Sequence, residues 1–98
     1  EGKSPISAAP LQNVTYHIGG FKVHQSALQS VLLDFPAPVT INETEGIQMK
    51  LDVNLDKWFD GPNPIRIAND PFCMDPGELA QRIAGNYAQM FRVISVIQ

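Results

Sequence analysis

The chain has 98 residues, 44% apolar and 17% charged, with ten acidic against seven basic side chains and a net charge of −3. That length fits one domain at most, burying roughly two-thirds of its unfolded surface, and the apolar share excludes wholesale disorder. There is no basic stripe for nucleic acid, no apolar run near the ~20 residues of a membrane-spanning helix, and no basic-then-apolar leader in Glu1-Gly2-Lys3; a mature, trimmed or excised chain is the expectation.

Residues 1–10, with small residues and two prolines, read as a lead-in loop. Val14, Tyr16 and Ile18 then alternate with Asn13, Thr15 and His17, the period of a half-buried strand. Gly19-Gly20 breaks it, and Phe21 and Val23 alternating with Lys22 and His24 suggest a short hairpin-like return. Residues 27–35 read as a further strand with Val31, Leu33 and Phe35 on one face. Pro36 and Pro38 then kink the chain or place it at an edge, since proline has no N–H for a ladder.

After the polar turn of residues 42–46 comes the clearest strand. Ile47, Met49, Leu51, Val53 and Leu55 face one way, and Gln48, Lys50, Asp52, Asn54 and Asp56 the other. Trp58-Phe59 closes it, and residues 60–64 form a turn cluster. A helix is predicted over residues 75–89. Asp75 is placed to cap it, Pro76 to open it, and Glu78 stands three residues after the cap. Leu79, Ile83, Tyr87 and Met90 form its apolar stripe. Residues 91–97, apolar on both faces, read as a well-covered last strand. The sum is a mainly β domain over residues 1–98, an antiparallel β-sandwich or half of one, with one short helix near the C-terminal end.

The reactive inventory is one cysteine, two histidines and one tryptophan. No G-x-S-x-G elbow or phosphate loop is present, so an enzyme is not expected. Cys73 reads as a small buried hydrophobe, since Asp75 beside it opposes thiolate formation. Asp52 and Asp56 read as a solvated strand face, because alternate strand residues stand about 6–7 Å apart, too far to share a cation. By parity His17 and His24 project from the less buried sides of their strands. Soft donors exist in Met49, Met74, Met90 and Cys73, and imidazole with thioether suits copper better than calcium or magnesium. Met49 and Met90 fall on apolar faces and read as core filling, which leaves His17 as the candidate metal ligand.

Four segments resemble a known family. Tyr16-His17-Ile18-Gly19 resembles the F/Y-H-L-G strand of the copper proteins encoded beside methanobactin genes, the MbnP-like family. Residues 51–62, from Leu51 through Trp58-Phe59 to Gly61-Pro62, resemble that family's L-x-V-D-L-x-K-W-F-x-G-P strand and turn. Asn86 to Phe91 resembles its N-x-x-x-x-F helix end, and Glu1-Gly2-Lys3 the end of its G-Y-K-F-x-x-x-E-G segment.

The resemblance implies a β-sandwich exported to the periplasm or cell surface, often lipid-anchored, that handles copper. It implies that this chain corresponds to the C-terminal half, the upstream half carrying an M-H-W-x-W-x-x-G-Y segment. In members with a tryptophan-derived kynurenine at copper, that group acts with two histidines. Only His17 matches such a position here. Trp58 belongs to another motif, and the cysteines that many members carry around H-L-G are absent from this chain.

The leading expectation is therefore an extracytoplasmic, non-catalytic copper-binding protein with His17 as ligand. Its partners are the metal ion and a missing N-terminal half or partner chain that completes the sheet. The rival is a secreted structural or interaction β-sandwich module that assembles through exposed strand edges. A carbohydrate-binding face would have only Trp58, Phe59 and Tyr87 to offer.

Overall fold

The computed structural model describes residues 1–97. Its elements in chain order are β1 (Gly2–Lys3), a 3₁₀ turn (Pro10–Gln12), β2 (Asn13–Tyr16), β3 (Gln48–Val53), α1 (Lys57–Asp60), β4 (Phe72–Cys73), α2 (Glu78–Tyr87) and β5 (Phe91–Ile97). Strands dominate and form two sheets, one of order β1-β2-β4 and one of β3 and β5. The lead-in loop thus holds a strand of its own: Gly2 pairs with Val14 and Lys3 with Asn13, antiparallel.

The antiparallel sandwich needs correcting in one respect and is not shown in another. β2 and β4 run parallel, Thr15 beside Phe72 and Tyr16 beside Cys73. Two sheets this small do not establish a sandwich. The overall shape agrees: the radius of gyration is 17.5 Å, against about 13 Å for a compact domain of this length. The accessible surface is 7110 Å², against about 5,500 Å² for a compact monomer of this size.

The core lies between the three-stranded sheet and the helices. Ile65, Cys73, Ala80 and Ile83 are its buried centre, with Tyr16, Ile18, Trp58, Phe59, Leu79 and Tyr87 packed around them. Tyr16 reaches across to donate its hydroxyl to the Asp70 carbonyl at 2.6 Å, and its ring meets Phe59 edge-on at 6.2 Å. Asn86 is fully buried on α2. Its Nδ2 donates to the carbonyls of Trp58 (2.8 Å) and Asn63 (2.6 Å), and its Oδ1 accepts from the Asn63 N–H at 2.8 Å. One side chain thus ties α2 to α1 and the turn after it. Gly61 makes room for this: a Cβ there would stand 2.6 Å from the Asn86 Oδ1 and 2.7 Å from the Lys57 carbonyl.

Several expected elements do not form. Residues 27–35 are not a strand. A strand exists only where a neighbour takes up its N–H and C=O groups; here Ala27 bonds to Gly20 and accepts from the Tyr87 hydroxyl at 2.9 Å, while the Leu28 N–H turns to the nearby Ser26 hydroxyl instead of a strand. Leu28 and Leu32 stand in solvent. The return at residues 21–24 is a turn, closed by the Gln25 N–H on the Lys22 carbonyl. The long strand stops at Val53, because the Asn54 side chain takes the Asp56 N–H and turns the chain into α1. Trp58 and Phe59 are therefore helical. Their neighbour Asp60 pairs with Arg66 at 2.8 Å. The main helix starts at Glu78, later than expected. Asp75 makes no side-chain cap, and Gly77 takes the cap position at φ 152°, a conformation L side chains rarely adopt.

β3 and β5 form an antiparallel ribbon. Met49 faces Val96, Leu51 faces Val93 and Val53 faces Phe91, while Lys50 faces Ser95 and Asp52 faces Arg92. Ile94 is the extra residue of a bulge in that register. One face of the ribbon is thus wholly apolar. Met49, Leu51, Val53 and Phe91 are 38–46% exposed, so among the described residues no layer buries that face. Met49 is not core filling; Met90, on the other hand, is buried.

Candidate metal centre

β2 places His17 at the outer side of the three-stranded sheet. Alternation turns Tyr16 and Ile18 onto the core and His17 away from it. The His17 N–H donates to the Cys73 carbonyl at 2.7 Å, so the residue is still held in the β2–β4 ladder. Its imidazole is 53% exposed, and Nε2 lies 3.3 Å from the Glu1 carboxylate, which β1 brings alongside. With Nε2–H donating to Glu1, Nδ1 keeps the lone pair that a metal would use.

The other groups separate from it. His24 lies on an exposed turn with positive φ, not on a strand, and its carbonyl accepts from the Gln81 side chain at 3.1 Å. Cys73 is 4% exposed and faces the core. Burial, reinforced by Asp75 and then Asp70, pushes its thiol above the ordinary value, so it stays protonated at neutral pH. Asp52 is paired with Arg92 at 3.3 Å on the polar face of the ribbon. Trp58 packs on the core, its ring centroid 5.6 Å from that of Tyr87, and its indole N–H finds no polar partner among the described residues. With Phe59 and Tyr87 also turned onto the core, the carbohydrate-binding face is gone.

Among the described residues no three His, Cys, Asp or Glu side chains converge as a metal site. His17 is an incomplete donor set, one imidazole whose ring is oriented by the Glu1 carboxylate on Nε2. Copper fits it as a first ligand, with further donors required. Sequence reasoning missed the proximity of Glu1, which the β1–β2 pairing creates, and the role of Asn86, whose burial no local pattern signals.

No helix of the described residues is long and apolar enough to cross a membrane. No curated protein and no solved structure matches the chain. A family model described as MbnP matches residues 1–75, which takes in β1, β2, β3, α1 and β4, with His17 inside the match and α2 and β5 beyond it. The chain belongs to the MbnP family.

Proposed function

We propose that this chain is an extracytoplasmic copper-binding protein of the MbnP type, without catalytic activity, in which His17 is a copper ligand. The observation that carries the reading is the placement of His17 within the family match, on the outer side of β2, with its imidazole exposed and its Nε2 beside Glu1. A buried structural histidine would be enclosed by packing; this one keeps a nitrogen open to solvent. Copper sites draw on several convergent donors, so the set is completed by groups beyond His17, from this chain or from a polypeptide that completes the sheet. Export to the periplasm or cell surface belongs to the same proposal. Copper titration of the intact protein and of His17→Ala tests it: the variant loses the binding event, and equal affinity in both proteins removes His17 from the role.

A second reading has its own observation, the uncovered apolar face of the β3–β5 ribbon. A sandwich is completed when another polypeptide packs on that face, and an interaction module would serve that assembly. Sedimentation without metal separates the two: a well-behaved monomer speaks for copper binding alone, whereas assembly abolished by Leu51→Lys speaks for the module.

A further inference from the structure

We propose that Glu1 is a positioning residue for copper: its carboxylate fixes the His17 imidazole with the hydrogen on Nε2, so that Nδ1 is the nitrogen that takes the metal. The proposal rests on the copper reading above and says how the chain prepares that ligand. The sheet builds the contact. β1 pairs antiparallel with β2, Gly2 on Val14 and Lys3 on Asn13, and the Ser4 N–H on the Gln12 carbonyl continues the same register. Glu1 leads into β1 and so enters beside the C-terminal end of β2, where His17 follows Tyr16. Side chains on one face of adjacent strands meet directly or on the diagonal, and Glu1 Oε1 lies 3.3 Å from His17 Nε2.

Two restraints then act on His17 from opposite sides of β2. On the β4 side its backbone N–H is held by the Cys73 carbonyl at 2.7 Å, and on the β1 side its ring is held by Glu1. The second restraint decides where the hydrogen sits. An ionised carboxylate only accepts hydrogen bonds, so the ring nitrogen facing it is the one that carries the hydrogen. A neutral imidazole has one N–H and one lone pair. With Nε2 protonated, the lone pair belongs to Nδ1, which has no hydrogen-bond partner among the described residues. A histidine whose other nitrogen donates to a carboxylate is held in one tautomer and one ring orientation, and is a more basic metal ligand. His24 supplies the contrast: its backbone carbonyl is engaged by Gln81, while its ring has no hydrogen-bond partner among the described residues.

The test compares the intact chain with Glu1→Ala, Glu1→Gln and His17→Ala. All carry the same residue ahead of position 1, so that a glutamine there cannot cyclise, and circular dichroism checks that each folds. Proton–nitrogen NMR of the metal-free His17 ring, recorded with the ring neutral, reports which nitrogen carries the hydrogen. Competition with a chromophoric chelator reports Cu(I) affinity. The parent is expected to show Nε2 protonated, with Nδ1 as the nitrogen that copper shifts. Glu1→Ala is expected to leave a mixture of tautomers and to weaken Cu(I) binding about tenfold. That is the lower end of the loss when a group supporting a metal ligand is removed, because both side chains are more than half exposed. Glu1→Gln keeps an accepting oxygen without the charge and is expected to restore the tautomer and most of the affinity. If Glu1→Ala keeps the parent's tautomer or its affinity, the positioning role is overturned and the copper reading stands. Glu1→Gln as weak as Glu1→Ala means that copper uses the carboxylate itself, and copper on Nε2 means the wrong nitrogen; each also overturns the role. Equal affinity in His17→Ala and the parent overturns the copper reading, and the positioning role with it.

Discussion

The α2 region and the β3–β5 ribbon are built on opposite terms. Around α2, Ile65, Ala80 and Ile83 are almost wholly withdrawn from water, and Asn86 satisfies three backbone groups from two other segments. No buried side-chain nitrogen or oxygen among the described residues lacks a partner. The ribbon has a backbone ladder interrupted by one bulge and a polar face closed by Arg92 on Asp52, yet its apolar face meets solvent. A two-stranded ribbon is marginal in water without a covering layer. Hydrogen bonding alone, then, makes a strand pair in this chain; burial makes a core only where helices lie over the sheet.

The largest expected effect breaks the comparison at its strong end. Ile83→Ala removes a fully buried side chain and should cost about 2–5 kcal/mol, read as a fall in the urea midpoint. Leu51→Ala, of similar chemistry on the ribbon, should cost under about 1 kcal/mol, because its side chain is already partly in water. Equal losses would mean that the ribbon is covered after all.

Asn86→Ala comes next. It strips partners from Asn63 and Trp58 in a buried setting and should cost about 1–3 kcal/mol for each group left unpaired and dry. Hydrogen exchange should rise at Asn63 before it rises in the ribbon. Gly61→Ala should fall in the same range, since the added Cβ meets the Lys57 carbonyl and the Asn86 side chain.

The smallest effect is a pH dependence confined to the core. Burial raises the Cys73 thiol, with Asp75 and Asp70 adding to the shift, above an ordinary value of 9.0. The folded state therefore holds this proton more tightly than the unfolded state. Its contribution to stability is fully present below pH 9.0 and is lost as pH rises from there through the folded value. Tyr16, raised mainly by burial, has the same sign from an ordinary value of 10.0. Urea midpoints at rising alkaline pH should fall, and Cys73→Ala should flatten the earlier part of that fall.

What the sequence made legible follows from how far each signal reaches. The alternation of Met49, Leu51 and Val53 revealed β3, and the stripe of Leu79, Ile83 and Tyr87 revealed α2, because both patterns are local. Residues 27–35 carry a similar pattern without becoming a strand, since alternation cannot report that no neighbour is present to receive the backbone. The parallel β2–β4 pairing joins segments far apart in the chain, and no property of either announces it. His17 could be singled out by parity and by its family motif. Glu1 beside it could not, because its nearness is a consequence of the β1–β2 pairing.

The central claim is that His17, and not histidine in general, receives copper. The chain carries a built-in control, since its other histidine, His24, lies on a turn bonded to α2 through its carbonyl. Proton–nitrogen NMR of the two imidazole rings during Cu(I) addition tests the claim most directly. The account predicts that the His17 ring resonances move and saturate at one copper per chain while those of His24 stay in place. Equal movement of both rings, or none in His17, would contradict it.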